Sequence, residues 1–218
     1  MQPNMAQVLN TLAHEIRTPL AVSQGYLKLY VDGRLSTPAD QQRALQQTRE
    51  ALGLIAGLCA EISKVSALSE ATAVALPERI DVAALTRELQ AAGDLAGCEW
   101  GDAPPQGAQV ATNAPKDLVR ALVVMIKVAF DEHKSAPHRV EFSCDGDHVI
   151  VRAGTPEALV ALASRRDDAG ATAINVERGG KGLALIWATF VANQHGIQPW
   201  GHQDFKASIG FSIPLVKV

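Results

Sequence analysis

The chain has 218 residues, of which 47% are hydrophobic and 20% are charged, and its formal net charge is −3 at pH 7. This length allows one large domain or two small ones, each with a real core. A mildly acidic chain without basic clusters argues against nucleic acid as the main partner. No apolar run approaches the roughly 18 residues of a membrane helix, and no signal-peptide pattern opens the chain. We therefore expect a cytoplasmic protein with no membrane partner.

Residues 3–70 are predicted to form two long helices joined by the segment DGRLSTPAD, in which Gly33 stops the first helix and Ser36 or Thr37 caps the second. The first helix repeats apolar residues at helical spacing, namely Met5, Leu9, Leu12, Ile16, Leu20, Leu27 and Tyr30. The second has an apolar seam of Leu52, Ile55, Cys59, Ile62 and Val65, so Cys59 is expected to be packed. Two such helices alone bury too little to be stable, which favours a homodimer through a four-helix bundle. The alternative is an intramolecular hairpin covered by the rest of the chain.

The fold class is α+β, because the pattern changes after a proposed linker at residues 70–80. Residues 79–218 alternate helical and strand segments, beginning with a helix capped by Asp81. HRVEFSCDGDHVIVRAG is typical of two strands around an Asp-Gly turn, and the last twenty residues predict a second hairpin. Helices packed on one mixed or antiparallel sheet give a two-layer α/β sandwich.

The stretch HEIRTPL, residues 14–20, carries the most specific chemistry. At about 100° per residue, His14 lies opposite Leu12 and Ile16 and should face water, with Thr18 one turn above it. A neutral imidazole is a good nucleophile for phosphorus, and a neighbouring carboxylate such as Glu15 favours its activation. Arg17 is a candidate contact for phosphate oxygens. A zinc site of the HExxH type is excluded because position 18 is threonine.

HEIRTPL resembles the H-box of bacterial two-component sensor histidine kinases, and the order of elements resembles that family over the whole chain. The resemblance implies that His14 carries a phosphoryl group, that Glu15 assists as base, and that Thr18 orients water for dephosphorylation. It also implies that residues 1–70 are the dimerisation and phosphotransfer domain and that residues 79–218 stand in the place of the ATP-binding domain.

The second domain departs from the family pattern where nucleotide binds. Valines replace the two asparagines of the family's N-L-L-x-N-A helix, and alanine replaces the adenine-binding aspartate of D-x-G-x-G. A late glycine stretch, GGKGLAL, is retained. This vestigial nucleotide site comprises Val124, Val128, Ala153, Gly154, Gly180 and Gly182. Because phosphoryl transfer from ATP depends on metal-assisted charge neutralisation, we expect Mg-ATP binding to be lost, with no cofactor and no resident metal.

Three functions compete. The favoured one is a dimeric histidine phosphotransferase, built on a degenerate kinase framework, that passes phosphoryl groups between His14 and receiver-domain aspartates of response regulators. The second is the catalytic core of a sensor histidine kinase that still autophosphorylates from ATP. The third is a non-catalytic adaptor that binds receiver domains or pairs with a hybrid or active histidine kinase.

Overall fold

The computed structural model describes residues 5–70, 78–102, 107–131, 137–164, 182–201 and 208–216. The chain divides into two compact units, a helical unit at Pro3–Ser69 and an α/β unit that begins at Glu70. Within the described residues, no helix is both long enough and apolar enough to cross a membrane.

The helical unit is a hairpin of α1 (Met5–Val31) and α2 (Pro38–Glu70). Gly33 follows α1 with φ +64, a conformation that glycine adopts without steric cost. Thr37 is the residue that caps α2, because its hydroxyl accepts the Asp40 backbone N–H at 3.1 Å and donates to the Asp40 carboxylate at 2.7 Å.

Several of the buried residues of the hairpin have small side chains. Ser23 of α1 and Ala44, Thr48 and Ala51 of α2 are all buried, whereas several larger residues of the predicted seams are not. The prediction that Cys59 is packed is wrong, because its side chain is exposed. The apolar side chains of the hairpin that remain exposed are Leu9, Leu20, Val22, Leu27, Tyr30, Val31, Leu45, Leu52 and Leu54.

In its described residues, the α/β unit has four further helices and seven strands. The helices are α3 (Val82–Ala91), α4 (Pro115–Asp131), α5 (Pro156–Ser164) and α6 (Gly182–Gln194), with a short 3-10 helix at Gly93–Leu95. The strands are β1 (Glu78–Asp81), β2 (Glu99–Trp100), β3 (Gln109–Thr112), β4 (Arg139–Asp145), β5 (His148–Gly154), β6 (Gln198–Trp200) and β7 (Ser208–Pro214). Strand β1 shows that the proposed linker extended too far, since residues 78–80 belong to a sheet.

Five strands form a mixed sheet in the order β2-β4-β5-β7-β6, with only β2 and β4 parallel. Both predicted hairpins are present, β4 with β5 and β6 with β7. Strands β1 and β3 form a separate antiparallel pair. Helices α4 and α6 pack on each other, and α4 also contacts β5 and β7. The core between these elements is apolar, with Leu122, Ile126, Leu185, Ile186 and Phe211 each at 1% exposure or less.

A buried hydrogen-bond chain joins the start of α4 to the end of α6. His195 is 3% exposed, and its Nδ1 donates to the Val191 carbonyl at 2.7 Å. The neutral ring therefore presents Nε2 as an acceptor, and the Thr112 hydroxyl donates to it at 3.0 Å. Thr112 Oγ1 also accepts the backbone N–H of Ala114 at 3.1 Å. Burial lowers the pKa of His195, which keeps the ring neutral in this role.

Candidate phosphoacceptor site

His14 lies on the water-facing side of α1. It is exposed, and so are Asn10, Arg17 and Thr18, which are its neighbours at one turn before and one turn after. Glu15 is only half-buried, on the flank of the helix. The helix therefore presents an imidazole to solvent, with a carboxylate beside it and a guanidinium and a hydroxyl on the following turn.

Pro19 is buried inside α1, and the helix continues through it to Val31. Because proline has no backbone N–H, residue 19 cannot donate the usual helical hydrogen bond to the Glu15 carbonyl. One turn further, the Ser23 hydroxyl donates to the Leu20 carbonyl at 3.0 Å. The backbone directly beyond the histidine thus has two local departures from regular helix bonding on its packed side.

Two apolar strips run along α1. With His14 at zero and about 100° per residue, the buried Val8, Pro19 and Ser23 fall at about 120–180°. Leu9 and Leu20 are 56% and 41% exposed and fall at about 220–240°. Within a single chain, therefore, one apolar strip of α1 is buried and the neighbouring strip, with Leu9 and Leu20, stays exposed.

A similar strip runs along α2. Leu45, Leu52 and Cys59 recur at seven-residue spacing, and all three are exposed. They lie about 60–100° to one side of the strip that packs on α1, which includes Ala44. Each helix of the hairpin thus has an exposed apolar strip next to its buried residues.

The predicted vestigial nucleotide positions fall on elements that pack together. Val124 is half-buried and Val128 is buried on α4, and Ala153 and Gly154 are buried at the end of β5. Gly182, also buried, is the first residue of α6, whereas Gly180 lies outside the described residues.

Ala153 is 0% exposed and sits in register between Val140 of β4 and Ile209 of β7. Both neighbours are themselves buried. At this position the side chain is therefore surrounded by core, where the family pattern has a carboxylate that reads adenine.

The basic residue between the two valines is engaged in an ion pair. Lys127 Nζ lies 2.8 Å from the Asp94 carboxylate, and this contact raises the pKa of the lysine. Sequence reasoning missed this pair, because Asp94 belongs to a 3-10 helix that no pattern marked. Among the described residues, no group of three His, Cys, Asp or Glu side chains is arranged to hold a metal ion.

Residues 4–68 match the His Kinase A (phospho-acceptor) domain family, and this segment contains His14 and the rest of HEIRTPL. The structure of the Acinetobacter baumannii histidine kinase AdeS is similar at 17% identity and a TM-score of 0.57, over 94% of this chain and 98% of that chain. Full-length ShkA in complex with AMPPNP is similar at 18% identity and a TM-score of 0.51, over 100% of this chain and 47% of that chain. These structures confirm the predicted fold, a helical hairpin followed by an α/β unit with a mixed sheet.

Proposed function

We propose that this chain, which belongs to the two-component histidine kinase family, is a dimeric histidine phosphotransferase. It passes phosphoryl groups between His14 and the receiver-domain aspartates of response regulators, and it does not use ATP. The observation that carries the proposal is a contrast between the two units. The histidine is exposed on a helix that matches the phosphoacceptor family, whereas the α/β unit has apolar residues, buried or half-buried, at positions aligned with the family's nucleotide ligands.

The proposed reaction needs few groups from this chain. The neutral imidazole attacks the phosphorus of a receiver's aspartyl phosphate, so an N–P bond forms as the acyl P–O bond breaks and the aspartate leaves. Glu15 shares the proton on the other ring nitrogen, and Arg17 offers charge to the phosphoryl oxygens. Thr18 orients water when phospho-His14 is hydrolysed. The transfer is reversible, because the receiver's carboxylate attacks phospho-His14 in the return step.

Three features of the α/β unit argue against transfer from ATP. Ala153 is fully buried and offers no hydrogen bond to adenine, and the valines on α4 present methyl groups where the family has amides. Lys127, the nearby cation, is held by Asp94. Each missing polar contact is worth about 1–3 kcal/mol, so losing the adenine and metal contacts together weakens binding by several orders of magnitude.

The test offers the protein each phosphoryl source separately. A purified receiver domain carrying labelled aspartyl phosphate should label His14, and labelled ATP with magnesium should not. His14→Ala should abolish the label and leave the helical content unchanged, because the side chain is exposed and surface changes usually alter stability by no more than about 0.5 kcal/mol. Thr18→Ala should accept the group but lose it more slowly with the receiver present. Label from ATP on His14 would replace the proposal with an active kinase, and no label from either source would favour an adaptor.

Proteins of this family generally dimerise, and the apolar strips of α1 and α2 supply a surface for a second copy in a four-helix bundle. Leu52→Glu places a carboxylate on the α2 strip of both copies and should halve the mass found by sedimentation at tens of micromolar. Leu54→Glu is the matched control, since Leu54 is 64% exposed but lies on the other side of α2 from that strip. A monomeric wild type, or equal effects of the two variants, would contradict a dimer built on these strips.

A further inference from the structure

Asn10 shares the exposed face of α1 with His14. Relative to His14, Asn10 and Arg17 lie roughly 40–60° to one side, and Thr18 lies about 40° to the other. Side chains on a helix lean toward its N-terminus, so an imidazole at position 14 covers the turn that contains Asn10. A group attached to that ring is therefore directed toward Asn10 more than toward Thr18, which stands on the following turn.

We infer that Asn10 is a positioning residue for the phosphoryl group on His14, with its side-chain amide donating to a phosphoryl oxygen. This inference rests on the proposed phosphotransfer function. Asparagine supplies two N–H donors and no charge, so it can donate to a dianionic phosphoryl group without forming an ion pair with Glu15. Arg17, on the same side, supplies the charge. The two residues hold the phosphoryl group from the turn before and the turn after His14, and these contacts exist only when His14 carries the group.

The test loads His14 from phosphoramidate, a small donor that needs neither ATP nor a receiver. The imidazole attacks phosphorus, the P–N bond of the donor breaks, and ammonia leaves as the new N–P bond forms. At a fixed ratio of phosphoramidate to ammonia, the phosphorylated fraction of His14 measures how well the protein stabilises the product. Peptide mass analysis assigns the group to His14 rather than to another histidine, with the His14→Ala protein as the blank.

Asn10→Ala should lower the equilibrium constant for loading by roughly three- to tenfold, the range for a partly solvated hydrogen bond to a charged group. Asn10→Asp should lower it further, because a carboxylate repels the phosphoryl group. Asn10→Gln keeps the amide and should restore part of the loss. Gln24→Ala is the matched control, an exposed amide of α1 more than two turns beyond His14.

If Asn10 only stabilised the helix, Asn10→Ala would lower the thermal stability of α1. Alanine has the higher helix propensity, so Asn10→Ala should leave α1 as stable or more stable toward heat while loading falls. Loading equal to the wild type in Asn10→Ala and Asn10→Asp would overturn the inference, and so would loss of helix stability in proportion to loss of loading. Failure of the proposed function is seen separately, as phospho-His14 that forms normally but does not exchange with a phosphorylated receiver. A wild-type His14 that takes no phosphoryl group would overturn both.

Discussion

Thr112→Val is the sharpest test of how the α/β unit is held together. Valine keeps the shape of threonine but removes the oxygen that donates to His195 Nε2 and accepts the Ala114 N–H, at 3.0 Å and 3.1 Å. Thr112 is 0% exposed and His195 only 3%, so water cannot replace the lost partner of the ring. Leaving a buried polar group unsatisfied costs about 1–3 kcal/mol. The Ala114 N–H is only partly buried and so adds less than the ring does, and we expect a total loss of about 2–4 kcal/mol in the free energy of unfolding.

Thr86→Val is the matched control. Thr86 is also buried, but its hydroxyl donates at 2.8 Å to the Val82 carbonyl four residues earlier in the same helix, an acceptor that has its ordinary helical partner. Losing this bond should cost less than about 1 kcal/mol. All three tryptophans of the chain lie in the α/β unit, so urea unfolding followed by tryptophan fluorescence reports on that unit alone. Equal midpoints for the two variants at equal slope would refute the reasoning.

Two further predictions concern the same unit. The pKa of His195 is lowered from 6.5 chiefly by burial, so the unfolded chain binds more protons between that lowered value and about 6.5. The free energy of unfolding should therefore be level above pH 7 and fall as the pH drops below about 6.5, by at most about 1.4 kcal/mol per pH unit, and His195→Phe should flatten that slope. Gly210→Ala should destabilise the sheet by about 1–3 kcal/mol, because a Cβ there would overlap the Trp200 ring, 2.7 Å from its Nε1. Gly93→Ala, where a Cβ meets nothing within 4 Å, should be near neutral in the same urea assay.

Most helices and strands could be predicted because their turns, caps and apolar spacing are visible within a short stretch of sequence. The Asp-Gly turn predicted the β4–β5 hairpin, whose Gly146 has φ +56, and Asp81 accepts the Ala83 N–H as the cap of α3. The pairing of β2 with β4 and of β3 with β1 was not predicted, because these strands are far apart in sequence from their partners. Pairing between distant strands is decided by tertiary packing, which local spacing does not record.

At the candidate site, too, local features were predicted and contacts between distant residues were not. The exposure of His14 follows from helix phase alone. The hydrogen-bond chain through His195 was not predicted, because Thr112 lies 83 residues away and nothing near either residue marks the other. Helix phase also failed to separate the apolar residues that meet within the hairpin from those left exposed. Ala44 and Ala51 carry little apolar signal, yet they are the buried residues, whereas Leu45 and Leu52, which carry more, are exposed.

A single reversal, Ala153→Asp, tests whether the α/β unit has a vacant nucleotide pocket or a closed core. The position is fully buried between Val140 and Ile209, both at 3% exposure or less. An aspartate there would be either ionised without a partner or protonated against methyl groups, and each state costs several kcal/mol. We therefore expect the variant to lose the fluorescence-detected urea transition, or to shift it far to lower urea, with no saturable binding of Mg-ATP by calorimetry. Ala91→Asp, on the exposed end of α3, controls for the added charge. A stable Ala153→Asp protein that binds Mg-ATP at micromolar concentration would mean that the position faces a pocket, and the exclusion of ATP from the proposed function would fail with it.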